Sequence, residues 1–238
     1  MLLSPLRKML RRKADPVKLL SDLAPPGLGL ERLVHVGAHL GQERHRYEAL
    51  GYRRQLWVEG SREVHARLAE SLATHMADRQ RQGLPPVEHL TACALLTDRE
   101  GDEAALREFS NDGMSSSIFA ATDTLKARWP EVKETGRSET TRTRTLDGLL
   151  ADLGFGRVDT LVVDVQGAEL LVLRGALATL AQAKAVVSEV STQPLYEGGV
   201  LFPELAAFLQ QHGFVPMSVP RRHGDMLFVH PERTGITP

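Results

Sequence analysis

The sequence predicts an α/β fold built on a doubly wound, mostly parallel sheet. Three observations lead there. From residue 30 onward, short apolar runs alternate with helical patterns. The run Thr160–Val165 is continuous and apolar except at Asp164, as expected of a strand covered on both faces. Two last runs, Phe214–Val219 and Met226–His230, are close enough in the chain to form a terminal antiparallel hairpin.

Each element has its own signal. Leu33–Val36 reads as the first strand, followed by a helix over Gln42–Leu50 that stops at Gly51. Gln55–Val58 is the second strand. Ser61 with Glu63 opens a helix whose buried face continues through Val64, Leu68 and Leu72. Gly83-Leu84-Pro85-Pro86 breaks the chain before a third strand, Val87–Leu95. The alternation then lapses. Ala104–Phe109 predicts an extra strand, Ser110–Ser117 a polar loop, and Arg137–Thr145 an edge strand or loop. The rhythm resumes with the strand Thr160–Val165, one helix over Ala168–Leu180, the strand Ala185–Val190 and a helix over Phe202–His212. Residues 30–238 thus read as one domain with an inserted strand and loop segment, preceded by residues 1–29.

Composition narrows the function classes. One cysteine, Cys93, excludes an internal disulfide framework and a multi-cysteine metal cage. A net charge of -1 supplies no global basic field, so no nucleic-acid partner is expected. Met1–Lys13 carries Arg7, Lys8, Arg11, Arg12 and Lys13 among apolar residues at helical spacing. It predicts a basic helix capable of weak contact with a membrane surface, joined to the domain by a Pro/Gly-rich linker over Asp15–Gly29. The expected location is cytoplasmic, peripheral to a membrane if that helix binds one.

The chemistry-bearing residues sit where predicted strands end. Gly37-Ala38-His39-Leu40-Gly41 follows the first strand, and its small residues let a ligand approach the backbone at a helix start. Gly37 and Gly41 are four apart, with His39 where a dinucleotide fingerprint needs its second glycine. That disfavours a nicotinamide-dependent oxidoreductase. Glu59 ends the second strand about 20 residues later, in the position of an acid that accepts ribose hydroxyls. Asp164 and Glu189 end two later strands and could take a proton, bind a metal or hold a cationic group. Zinc is not expected, because the histidines show no clustered third ligand in the sequence.

These pieces together resemble the FkbM-type S-adenosylmethionine (SAM)-dependent methyltransferases from about Leu33 to His230. The matching segments run in order: His35–Glu43, Trp57-Val58-Glu59, Ser110–Ile118, Thr145-Leu146-Asp147, Val163–Glu169, Glu189-Val190-Ser191, Leu195–Gly198 and Gly224–Phe228. The resemblance implies a Rossmann-like, seven-stranded class I methyltransferase fold and methyl transfer, usually to oxygen, with a sugar, glycan or natural product as acceptor. It also implies a SAM site made of Gly37, Ala38, His39, Gly41, Gln42 and Glu43, with Glu59 on the ribose. Ala94, Asn111, Ser116 and Asp164 would complete it, and Asp164 and Glu189 would be the catalytic pair. Many members carry Asp where this chain has His35, which leaves open a non-catalytic protein on the same fold.

Overall fold

The computed structural model describes residues 15–237. Met1–Lys13 and its predicted basic helix lie outside them. Among the described residues, no helix is long and apolar enough to cross a membrane.

The first half comprises α1 (Pro16–Leu23), β1 (Arg32–Val36), α2 (Arg44–Ala49), β2 (Arg54–Glu59), α3 (Arg62–Arg81) and β3 (Glu88–Cys93). An inserted pair, β4 (Glu103–Phe109) and β5 (Glu134–Arg142), encloses a loop and α4 (Asp123–Arg128). The alternation resumes with α5 (Leu146–Asp152), β6 (Thr160–Val163), α6 (Glu169–Arg174), α7 (Leu177–Leu180) and β7 (Ala185–Ser191). The chain closes with α8 (Phe202–Gln211), β8 (Val215–Pro216), β9 (His223–Val229) and α9 (Pro231–Thr234).

Seven strands form one sheet in the order β3-β2-β1-β6-β7-β9-β8. The first five run parallel, and β9 lies between β7 and β8, antiparallel to both. This is the Rossmann-like arrangement that the resemblance implies. The chain changes direction across the sheet between β1 and β6, where Val36 lies beside Val163. In a doubly wound sheet that switch point opens the ligand crevice.

Strand alternation sends neighbouring residues into two cores. Val34, Val36, Leu56, Val58, Leu161 and Val163 face one way, against α5, α6 and α8. Leu33, Trp57, Val162 and Val187 face the other, against α1, α2 and α3. β4 and β5 form a separate antiparallel ribbon outside the seven-stranded sheet. Phe109, at the end of β4, packs with Leu125, Leu195 and Tyr196, which fastens the insertion to the loop after β7.

Three expectations need correction. Part of the predicted linker, residues 16–23, is α1: Asp15 caps it by accepting the Val17 N–H at 3.0 Å, and Val17, Leu19 and Leu20 are buried in the second core. The predicted helix Ala168–Leu180 is two short helices. A side chain at Gly175 would stand 2.2 Å from the Thr97 carbonyl oxygen, so the backbone passes too close for a continuous packed helix surface. Asp147 then starts α7 afresh, accepting N–H groups of Ala178 and Thr179 at 2.7 and 2.9 Å. Finally, β6 stops at Val163, which places Asp164 in the turn beyond it. Helices α4 and α5 had not been expected.

His35 belongs to the second core. It is buried, its ring lies 5.6 Å from that of Trp57, and its Nδ1 is 3.3 Å from the Tyr47 hydroxyl. Burial, with a smaller effect from Arg46, lowers its pKa from 6.5 to about 4. Between those values the unfolded chain binds a proton that the folded chain refuses, so stability falls as pH drops from 6.5 to about 4. The full contribution is about 3 kcal/mol. Denaturation at a series of pH values should therefore show a shallower acid loss for His35→Asn than for the parent chain. Equal slopes would contradict the assignment.

Candidate active site

The turns after β1 and β6 share one space. Gly37 has φ +80°, and a Cβ on it would fall 1.6 Å from the Asp164 carbonyl oxygen. Only glycine permits that approach. Backbone hydrogen bonds fix it: Asp164 N–H donates to Val36 O at 2.9 Å, and Gly37 and Ala38 donate to Val58 O at 2.9 and 3.0 Å.

Glu59 lies at the end of β2, beside this turn. Its carboxylate accepts the N–H groups of His39 and Ser61, each at 2.9 Å. An ionised carboxylate has about four acceptor positions, so about two remain for a ligand's hydroxyls. Burial raises the Glu59 pKa, opposed by the backbone N–H groups of Ser61 and His39. His39 Nε2 lies 2.9 Å from the Asp112 carbonyl oxygen, and its Nδ1 lies 2.8 Å from Gln42 Nε2. A carbonyl can only accept, which assigns the ring proton to Nε2 and leaves Nδ1 to accept from Gln42.

A second group of carboxyls lies beyond β6 and β7. Oxygens of Asp164, Glu169 and Glu189 fall within 4.8 Å of one another. Glu169 closes its own turn, accepting N–H groups of Val165 and Gly167 at 3.2 and 3.0 Å. Gln166 Nε2 bridges the other two, donating to Asp164 at 2.6 Å and to Glu189 at 3.0 Å. The Tyr196 hydroxyl donates to Gln166 Oε1 at 2.7 Å and fixes the amide's orientation. His223 Nε2 reaches the other Glu189 oxygen at 3.1 Å. Burial holds the Asp164 carboxyl well above its ordinary range, reinforced by Glu189, Asp225 and Glu169 and opposed by Gln166. Glu189 is raised for the same reasons, burial first.

A narrow cavity of about 60 Å³ connects the two groups; Gly37, His39, Glu59, Ala94, Ser116 and Asp164 all line it. Leu95, Leu96, Leu106 and Ile118 give it an apolar wall. The remaining sequence-predicted residues stand outside that lining. Ala38 is buried in the second core, and Gly41 backs onto Leu68 and Trp57. Gln42 orients His39, and Glu43 lies within 4.0 Å of Arg46. Asn111 braces its own loop through Ser115, and Glu189 lines a separate, smaller recess. Gln166 and Tyr196 join the site without a role legible in the sequence; the one local signal is that Gln166 stands two residues past the strand-end acid Asp164.

The loop after β4 roofs the cavity. Ser117 Oγ donates to the Gln166 carbonyl at 2.7 Å, and Arg67 on α3 forms a two-point ion pair with Asp112 at 2.8 and 2.9 Å. Across Leu106, Gly113 and Ser116 lies a larger crevice of about 710 Å³ between α3 and the β4–β5 ribbon. The 60 Å³ cavity is smaller than the several hundred cubic ångströms of a typical small-ligand pocket, and the crevice adjoins it at those three residues. Strain is concentrated here: His39, Asp112 and Gln166 are the described non-glycine residues with positive φ, at 46°, 60° and 57°. Such conformations cost about 1–3 kcal/mol each and gather where a site is preorganised.

Comparison with known proteins shows which family the chain resembles. The family described as the methyltransferase FkbM domain matches residues 35–216. A curated relative, the 2-O-methyltransferase NoeI of Sinorhizobium fredii (strain NBRC 101917 / NGR234), is 33% identical over 85 residues, 36% of this chain and 35% of the relative. The match therefore spans about a third of that relative's length. Among solved structures, a methyltransferase FkbM from Methylobacillus flagellatus KT is 12% identical, with a TM-score of 0.49 over 94% of this chain and 57% of its own. A protein of the NADB-Rossmann superfamily from Streptococcus agalactiae is 11% identical, with a TM-score of 0.48 over 94% of this chain and 71% of its own.

Gly37→Ala should destabilise the chain by about 3 kcal/mol or more, because the new methyl meets backbone that cannot retreat. A urea midpoint equal to the parent's would contradict the close approach of the two turns.

Proposed function

The chain belongs to the FkbM methyltransferase family, and from that premise we propose that it is a SAM-dependent methyltransferase acting on a hydroxyl oxygen. The observation that carries the proposal is the single cavity reached by both Glu59 and Asp164. SAM supplies an activated methyl group on a sulfonium, so the protein's task is position, orientation and proton removal.

The residues suit that cofactor. Glu59 has acceptor positions left for the two ribose hydroxyls. Gly37 and His39, the turn residues that line the cavity, would face the amino-acid portion, and Ala94 with Leu95 and Leu96 offers an apolar seat for the base. Asp164 takes the proton of the acceptor hydroxyl. Its raised pKa brings the carboxyl closer to the working pH, which favours a general base. Gln166 keeps Asp164 and Glu189 apart in a defined geometry while it binds both.

Oxygen as the acceptor atom is supported by the relative named a 2-O-methyltransferase. A sugar, glycan or other polyhydroxylated acceptor suits the larger crevice. That crevice presents Ser61, Ser110, Thr135 and Ser138 beside carboxylates and guanidinium groups, a surface rich in both donors and acceptors.

Asp164→Asn should leave SAM affinity within a few-fold and lower turnover by about 10²–10⁴-fold. In the parent enzyme turnover should rise with pH on the acid side, because the base must lose its proton, and that limb should vanish in the variant. Unchanged turnover would remove Asp164 from the mechanism. Glu59→Ala should weaken SAM binding in calorimetry, and an unchanged affinity would contradict the ribose assignment.

A further inference from the structure

On the outer side of α2 and α3, away from the cavity, a second set of ligating side chains converges. His45 and Glu48 lie one turn apart on α2, and His75 comes from α3. One ligating atom from each falls within 4.8 Å of the others. His75 Nε2 is 2.6 Å from Glu48 Oε1, and the His45 and His75 rings meet edge to face at 4.5 Å. Glu48 is only 6% exposed and His75 9%, whereas His45 faces solvent.

The carboxylate is held from behind. His89, fully buried, donates from Nε2 to Glu48 Oε1 at 2.8 Å. Its tautomer is set, because Trp57 Nε1–H donates to His89 Nδ1 at 3.0 Å. His89 therefore supports Glu48 and is not itself a free ligand. Arg79 donates to the other Glu48 oxygen at 2.6 Å and is anchored in turn on the Pro85 carbonyl at 2.7 Å. Outer hydrogen bonds of this kind orient ligands in metal sites. These donors already satisfy Glu48, and His45 is left over as a second imidazole directed at the same point.

We propose that His45, Glu48 and His75 bind one divalent transition-metal ion of the zinc type. Two imidazoles and one carboxylate are a donor set for zinc, cobalt or nickel rather than magnesium or calcium, which prefer all-oxygen shells. Three protein ligands leave a position open to water on the exposed His45 side. On binding, the ion replaces the proton between His75 Nε2 and Glu48. That proton moves to His75 Nδ1 or to solvent, and the ring binds as a neutral donor. The positive charge of Arg79 opposes the ion, so affinity should be moderate. The bound ion would tie α2 to α3 and, through Glu48, His89 and Trp57, to β2.

The test is titration of the metal-free full-length chain with zinc alone against a chromophoric chelator, alongside magnesium, His45→Ala and His75→Ala. One zinc per chain is expected, with no magnesium binding at the same concentrations. Each variant should lose affinity by at least the roughly 10–100-fold that removal of a mere outer partner costs. Zinc should also raise the melting temperature of the parent chain but not of His45→Ala. His45 is exposed, so that variant's metal-free melting temperature should match the parent's. Absence of saturable zinc binding, or affinity equal to the parent's in either variant, would overturn the proposal.

Discussion

Gly37 and Asp164 touch because parallel strands at a switch point end level with each other, and the turns that leave them have nowhere else to go. The Gly37 α-carbon packs on the Asp164 carbonyl at a distance that admits no side chain. Much of the site depends on that contact. It brings the ligand-facing turn of β1 to the carboxyls of β6 and β7, and it leaves His39 in a left-handed conformation with its N–H directed at Glu59. Asp164, one residue past the end of its strand, lines the crevice.

The site opposes two costs. Burial disfavours the charged form of Asp164 and Glu189, and repulsion among the gathered carboxyls adds to it, so both pKa values are raised. Hydrogen bonds limit the effect unequally. Glu169 is stabilised by backbone donors and is a structural acid. Asp164 and Glu189 share one amide, so they carry the tension. In the proposed function Glu59, held by two backbone N–H groups on the other side of the cavity, binds the ligand rather than moving a proton. The division of labour between the strand-end acids therefore follows from their hydrogen-bond partners, although all are carboxylates at equivalent places in the sheet.

The sheet was legible in the sequence because its signal is local. The apolar runs Leu33–Val36, interrupted at His35, and Thr160–Val165, interrupted at Asp164, announce strands covered on both faces, and Glu59 stands where the run Gln55–Val58 stops. Interruptions that depend on distant contacts were not legible. Nothing around Gly175 shows that Thr97 will press against it. The α1 segment looked like a linker because its prolines and glycines flank only two turns of helix, whose buried face is completed by β7 and β9. α5 was readable in hindsight: Thr145 caps it, and Leu146, Leu149 and Leu150 form its buried face. His35 shows the limit most clearly. In the sequence it stands at the end of the first strand, two residues before the ligand turn and with no role legible, and strand alternation directs it into the core beside Trp57 and Tyr47.

In the proposed function one cavity, bounded by the ends of β1, β2 and β6, receives the cofactor. Titration of the isotope-labelled chain with S-adenosylhomocysteine, followed by the backbone amide resonances, tests this. Gly37, His39, Glu59, Ala94 and Asp164 should shift together and saturate with one binding constant. Shifts confined to the crevice between α3 and the β4–β5 ribbon, or no saturable shift at those five amides, would contradict it.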